Sequence, residues 1–164
     1  MKSALYTFSS ARDLFESARE ASRDAERCRR QLLSMEAAAE GLSGPGFEAR
    51  VSASGEPDRM GSRVAAMVDR EEALSRRMED DYALIELACS VLYGTDNDGG
   101  LWSLVGWRAD AIFQHYLADR PWAEVAALMG YGEQHVWRES MAALDVCDGW
   151  GIARAMAGEG GAEE

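Results

Sequence analysis

Five side chains suited to reading the edges of nucleic-acid bases fall within eight positions of one another: Gln134, His135, Trp137, Arg138 and Met141. The Gln amide matches the donor and acceptor pair of adenine, the Arg guanidinium matches the two acceptors of guanine, and Trp137 can lie against backbone or thymine methyls. No other cluster in the chain offers comparable chemistry. There is no nucleophile with a plausible base, no glycine-rich phosphate loop after a strand and no pair of carboxylates in a pocket, so catalysis is not expected. Cys28, Cys89 and Cys147 are widely spaced, and His115 and His135 stand 20 residues apart without a Cys or carboxylate at ligand spacing. Neither a metal site, a cofactor nor a disulfide framework is expected. The acidic run Glu79-Asp80-Asp81 points around a helix rather than toward one ion.

The elements that must position the five residues are read from Pro121 to Leu144, PWAEVAALMGYGEQHVWRESMAAL. This segment fits a helix-turn-helix template. Pro121 opens a first helix where a missing N–H costs nothing. Trp122, Val125, Ala126 and Met129 form its inner side, with Ala126 small because the two helices approach there. Gly130 occupies a turn position that wants a positive φ, Tyr131 packs under the turn, and Gly132 caps the second helix. Val136, Ser140 and either Ala143 or Leu144 face inward, which leaves Glu133, Gln134, His135, Trp137, Arg138 and Met141 on the outer and flanking surface. The apolar positions between Leu104 and Leu117 supply a third helix, and His115 reads there as a surface or half-buried residue.

Further upstream, Leu14, Ala18, Ala21, Ala25, Cys28, Leu32, Met35, Ala39 and Leu42 follow alternating steps of four and three, the period of a coiled-coil seam. The seam is rich in alanine, so its stability should be modest. Ser10 with Asp13 is an N-terminal cap signal. A second run, Met60, Val64, Met67, Glu71, Leu74, Met78, Asp81, Ile85, Ala88 and Leu92, has acidic residues at two positions, where a local frame shift should bring Val68 and Tyr82 to the buried face. The expected fold is all-α: a long antiparallel helical hairpin over 1–94 (helices about 10–42 and 60–93, loop 43–59), followed by a three-helix helix-turn-helix domain over 101–148. Residues 149–164 should be a flexible tail. An intermolecular pairing of the same stripes satisfies the pattern equally. All five tryptophans, at 102, 107, 122, 137 and 150, follow the glycine-rich break, which suggests an aromatic core for the last domain. With 164 residues, no apolar run of signal or membrane length and unpaired cysteines, the expected setting is the cytoplasm, away from any membrane.

Trp122-Ala-Glu-Val-Ala, Met129-Gly-Tyr, His135-Val-Trp-Arg138 and Ala143-Leu144 resemble region 4 of sigma factors. Together with Asp58-Arg59-Met60-Gly61, they resemble more closely the small phage and prophage transcriptional regulators of the late-gene activator type. The resemblance covers about residues 12 to 146. It implies a promoter-binding regulator whose partners are double-stranded DNA and RNA polymerase, with the N-terminal coiled coil for oligomerisation or partner contact and no small-molecule substrate. It also implies a weak phosphate contact at His115. Where such proteins carry basic residues or a capping Ser, this chain has Ala118, Asp119, Gly132, Glu139, Met141 and Ala142. The net charge is −12, and residues 121–150 hold Arg138 alone against Glu124, Glu133, Glu139, Asp145 and Asp148. Since phosphate contacts supply most non-specific affinity, a monomer should bind DNA weakly. The same acidity supports another reading, an acidic protein-interaction module that touches polymerase, a sigma factor or a phage assembly protein through a helix-turn-helix that no longer binds DNA. A phage DNA-packaging subunit is a weaker third reading.

Overall fold

The structure, a computed structural model, describes residues 7–42 and 57–158. These residues are helical, without strands: α1 (Ala11–Leu42), α2 (Pro57–Tyr93), α3 (Trp102–Val105), α4 (Trp107–Ile112), a π-helical turn (Phe113–Leu117), α5 (Trp122–Met129), α6 (Glu133–Trp150) and α7 (Ile152–Ala157). Ser10 caps α1 as its sequence suggests. Its hydroxyl accepts the Asp13 N–H at 3.1 Å, and the Asp13 carboxylate accepts the N–H of Ser9 at 2.9 Å. Helix α2 starts three residues before the expected boundary, with Pro57 in its first position, and most of the anticipated loop, residues 43–56, lies outside the described residues.

The chain divides into two compact units, Met1–Arg23 with Tyr82–Glu164, and Asp24–Asp81. The glycine-rich segment after Tyr93 is therefore inside the first unit rather than at a boundary. The core of that unit is drawn from both ends of the chain: Leu14 and Phe15 of α1, Val91 and Leu92 of α2, then Leu101, Ile112, Leu144 and Cys147, all fully buried or within 1% of it. No tryptophan is among them. Trp102, Trp137 and Trp150 are 40–48% exposed, and Trp107 and Trp122 are partly buried, packed against the cores rather than within them. A 45-residue unit on its own would need large aromatics to bury enough area. Here the ends of α1 and α2 supply aliphatic side chains and Phe15 instead, so the tryptophans are left to the margins of the core and to the surface.

The end of the chain also departs from the expected flexible tail. Gly151, with φ +84°, breaks α6, and α7 follows with Ala155 fully buried in the main core. Residues 159–164 lie outside the described residues. The junction between α2 and α3 is tight: Leu101 donates its N–H to the Val91 carbonyl at 2.9 Å, and Gly99 donates to Tyr93 at 2.9 Å.

In the second unit the two helical segments run past one another in opposite directions. Arg77 hydrogen-bonds to Asp24, while Arg70 reaches Gln31 at 3.4 Å, so moving seven residues up α1 moves seven residues down α2. Ala25, Cys28 and Leu74 are buried, and Leu32, Met35 and Met67 are half-buried, which fits the seam. The frame shift is not found, because Val68 and Tyr82 are 47% and 49% exposed. Asp81 stays near the seam instead. Its Oδ2 is buried without a hydrogen-bond partner, and burial together with the Asp24 carboxylate pushes its pKa above the ordinary value. The helix therefore keeps its register and tolerates an acidic residue beside Arg77, rather than rotating to present apolar ones.

Candidate nucleic-acid interface

Helices α5 and α6 meet across a three-residue turn. Gly130 closes α5 with φ +74° and ψ +26°, the left-handed conformation that Gly adopts at little cost, and Tyr131 donates its N–H to the Ala126 carbonyl at 3.1 Å. Gly132 is extended and starts α6 by accepting the Val136 N–H at 3.0 Å, with no side-chain cap on the first turn. A separate small core fills the angle between the helices: Val125, Ala126 and Val136 with Ala111 of α4, flanked by Trp107, Trp122 and Met129. Leu144 joins the main core together with Ala143, so both alternatives for that inward position are buried.

Tyr131 does not pack under the turn. It is half exposed and stacks on Trp107 with ring centroids 4.9 Å apart, and His135 lies 5.4 Å from Tyr131 and 6.1 Å from Trp107. Gln134, His135, Trp137 and Arg138 are all exposed. Trp122, Glu133, Gln134 and Trp137 line a shallow cleft between the two helices. Met141 is half-buried against the main core, and its Sδ lies 3.0 Å from Arg12 Nη2. The inner face of α6 is closed over Val136, Ser140, Ala143, Leu144 and Cys147.

Ser140 is fully buried, and its hydroxyl has no hydrogen-bond partner. Because an unsatisfied buried hydroxyl stabilises nothing, Ser140→Ala should leave stability unchanged or raise it by up to about 1 kcal/mol in a denaturant titration. A loss larger than that would show that the hydroxyl is bonded after all.

His115 is not a surface phosphate contact. It is 7% exposed, stacks on Trp122 at 3.9 Å and sits 2.7 Å from the Arg120 carbonyl through Nδ1. A carbonyl only accepts, so Nδ1 carries the hydrogen and Nε2 is left to accept from Arg19 at 3.1 Å. Burial pushes the pKa of His115 below its ordinary value, with Arg19 and Arg23 acting in the same direction. Its role is to hold the end of the π-helical turn against α5 and α1. Asp119, with φ +54°, stands just beyond this turn and takes hydrogen bonds from Arg23 at 2.8 and 2.9 Å and from Arg19 at 2.7 Å. The bonds from Arg23, aided by Arg19, outweigh partial burial and hold the Asp119 carboxyl down at about 2.

The carboxylates of the α5–α6 region are largely occupied. Glu139 accepts two N–H groups of Arg108, at 2.9 and 2.6 Å, and this pairing lowers its pKa. Glu124 is paired with Arg120, and Asp148 accepts the Ala11 N–H at 2.6 Å. Glu133 and Asp145 are exposed. Counting along the segment therefore exaggerates the negative charge it presents, since Arg108, Arg120 and α1 answer part of it from outside. Arg138 projects into solvent, with its Nη2 3.4 Å from His135 Nδ1 and its Nε only 3.9 Å from Glu139.

No family model, curated protein or solved structure matches this chain. Among the described residues no group of three or more His, Cys, Asp and Glu could hold a metal ion, and no helix is long and apolar enough to cross a membrane. The chemistry available on α6 is hydrogen bonding, stacking and charge.

Proposed function

We propose that this protein is a DNA-binding transcriptional regulator of the phage type, in which α5 and α6 form a helix-turn-helix and α6 enters the major groove of a promoter-type site. The observation that carries this reading is the two-sided character of α6. One side is sealed into both cores, while the other holds Gln134, His135, Trp137 and Arg138 exposed in a row on a helix aimed by a left-handed glycine turn. Such a helix contributes base contacts, and the mechanism is positioning rather than catalysis. The antiparallel helices of α1 and α2 form the hairpin that serves oligomerisation or a partner such as RNA polymerase. Paired sites on one duplex would compensate for weak binding by each monomer.

The protein should shift duplex DNA with a sequence preference at about 50 mM salt, where electrostatic binding is strongest. Arg138→Ala should relax the preference at one base pair by about 1–3 kcal/mol, read from a set of single-substitution duplexes. An unchanged profile would remove α6 as the reading element. The alternative, an acidic module that binds polymerase or another protein through these helices, is supported by the exposed apolar side chains Leu128, Tyr131, Trp137 and Trp150 around them. Capture of polymerase subunits from a nuclease-treated host lysate, by a protein that shifts no DNA, would favour it.

A further inference from the structure

Arg12 stands in the first turn of α1, yet its Nη2 lies 3.0 Å from Sδ of Met141 on α6. A thioether is a weak acceptor and neutralises no charge. The neighbouring cations are differently placed: Arg19 and Arg23 are paired with Asp119, Arg108 with Glu139 and Arg120 with Glu124. No carboxylate among the described residues lies within ion-pair distance of Arg12, which is exposed. Its place against α6 is fixed, because Ala11, Leu14 and Phe15 are wholly buried and the Ala11 N–H is bonded to Asp148 at 2.6 Å.

We infer that Arg12 is a phosphate contact on the flank of α6, supplied to the DNA-reading surface by the distant start of the chain. This rests on the reading of α6 as the groove-entering helix. From Gln134 to Met141 is seven residues, or about 10 Å along a helix axis. A recognition helix meets base edges with its N-terminal residues, here Gln134 to Arg138, so a cation beside Met141 stands about two turns further on, at the flank where the helix passes the phosphates. The side chain carries no sequence information there. Its contribution is to affinity and to salt dependence, while base preference stays with the α6 row.

The test is the salt dependence of duplex binding by the full chain, with Arg12→Ala and Arg12→Lys compared with the unaltered protein, each first checked for unchanged helical melting. Arg12→Ala should reduce the slope of log K against log salt by about 0.9, the value of one phosphate contact, and leave the base preference as it was. Arg12→Lys should restore the slope. An unchanged slope in Arg12→Ala, with the unaltered protein binding normally, overturns the phosphate contact and leaves the reading of α6 intact. Altered base preference would also overturn it, since Arg12 would then be reading sequence. Failure of the unaltered protein to bind any duplex overturns both.

Discussion

Replacing Phe15 by alanine should lower the unfolding free energy by about 3–5 kcal/mol, the cost of deleting a buried aromatic ring. Phe15 is wholly buried, and its ring lies 5.9 Å from that of Tyr116 at the end of the π-helical turn. It belongs to the cluster that contains Leu92, Ile112 and Leu144, so its loss opens a cavity bounded by helices from both halves of the sequence. A denaturant titration followed by tryptophan fluorescence reads this directly, because all five tryptophans lie at or beyond position 102. The transition they report should move to lower denaturant although the substituted residue is near the N-terminus. A midpoint shift worth less than about 1 kcal/mol would mean that α1 merely rests beside the last helices instead of completing their core.

Gly100→Ala should be comparably severe, by about 2–6 kcal/mol, from backbone strain and overpacking together. Gly100 has φ +54°, and a Cβ placed on it would stand 2.3 Å from the Gly94 nitrogen, 2.7 Å from that of Tyr93 and 2.8 Å from the Leu92 carbonyl carbon. All three are backbone atoms, so no side chain can rotate away. The turn must open, and the bond from Leu101 N–H to the Val91 carbonyl spans the segment that has to move. Gly130 gives the comparison that separates the two causes. It also has positive φ, but nothing lies within 4 Å of its Cβ position, so Gly130→Ala should cost only about 1 kcal/mol from conformation alone. Thermal melts of the two variants side by side check this; equal losses would contradict the close backbone approach at Gly100.

What the sequence discloses depends on how local its cause is. The α1 seam from Leu14 to Met35, the Ser10 cap, the glycine turn at 130 and the inward set Val125, Ala126 and Val136 each follow from a few neighbouring residues, and all are found in the structure, although Ala39 at the far end of the seam is exposed. The tryptophans mislead because composition says how much area a residue can bury, not which residues are near enough to cover it. Phe15 and Leu14 come from a helix that sequence order places far from α6. Arg12 is silent in the sequence for the same reason, since nothing within its own helix marks it as the neighbour of Met141. Asp81 shows the limit of pattern reading along a single helix. An acidic residue in an apolar stripe suggests that the helix should turn, whereas Arg77, four residues earlier, is within reach of Asp24 and helps to hold the carboxylates in place. Tyr131 leaves the place expected of it under the turn and stacks on Trp107 at the surface, while His115, expected at the surface or half-buried, is enclosed between Trp122, Arg19 and the Arg120 carbonyl.

The proposed reading of DNA by the exposed row of α6 can be checked by a binding selection on random-sequence duplexes at about 50 mM salt, run in parallel with the Arg138→Ala variant. The expected result is an enriched site containing at least one guanine position, whose preference flattens in the variant while the rest of the site persists. A pool that emerges unenriched from the unaltered protein, or a site that Arg138→Ala leaves untouched at every position, would contradict it.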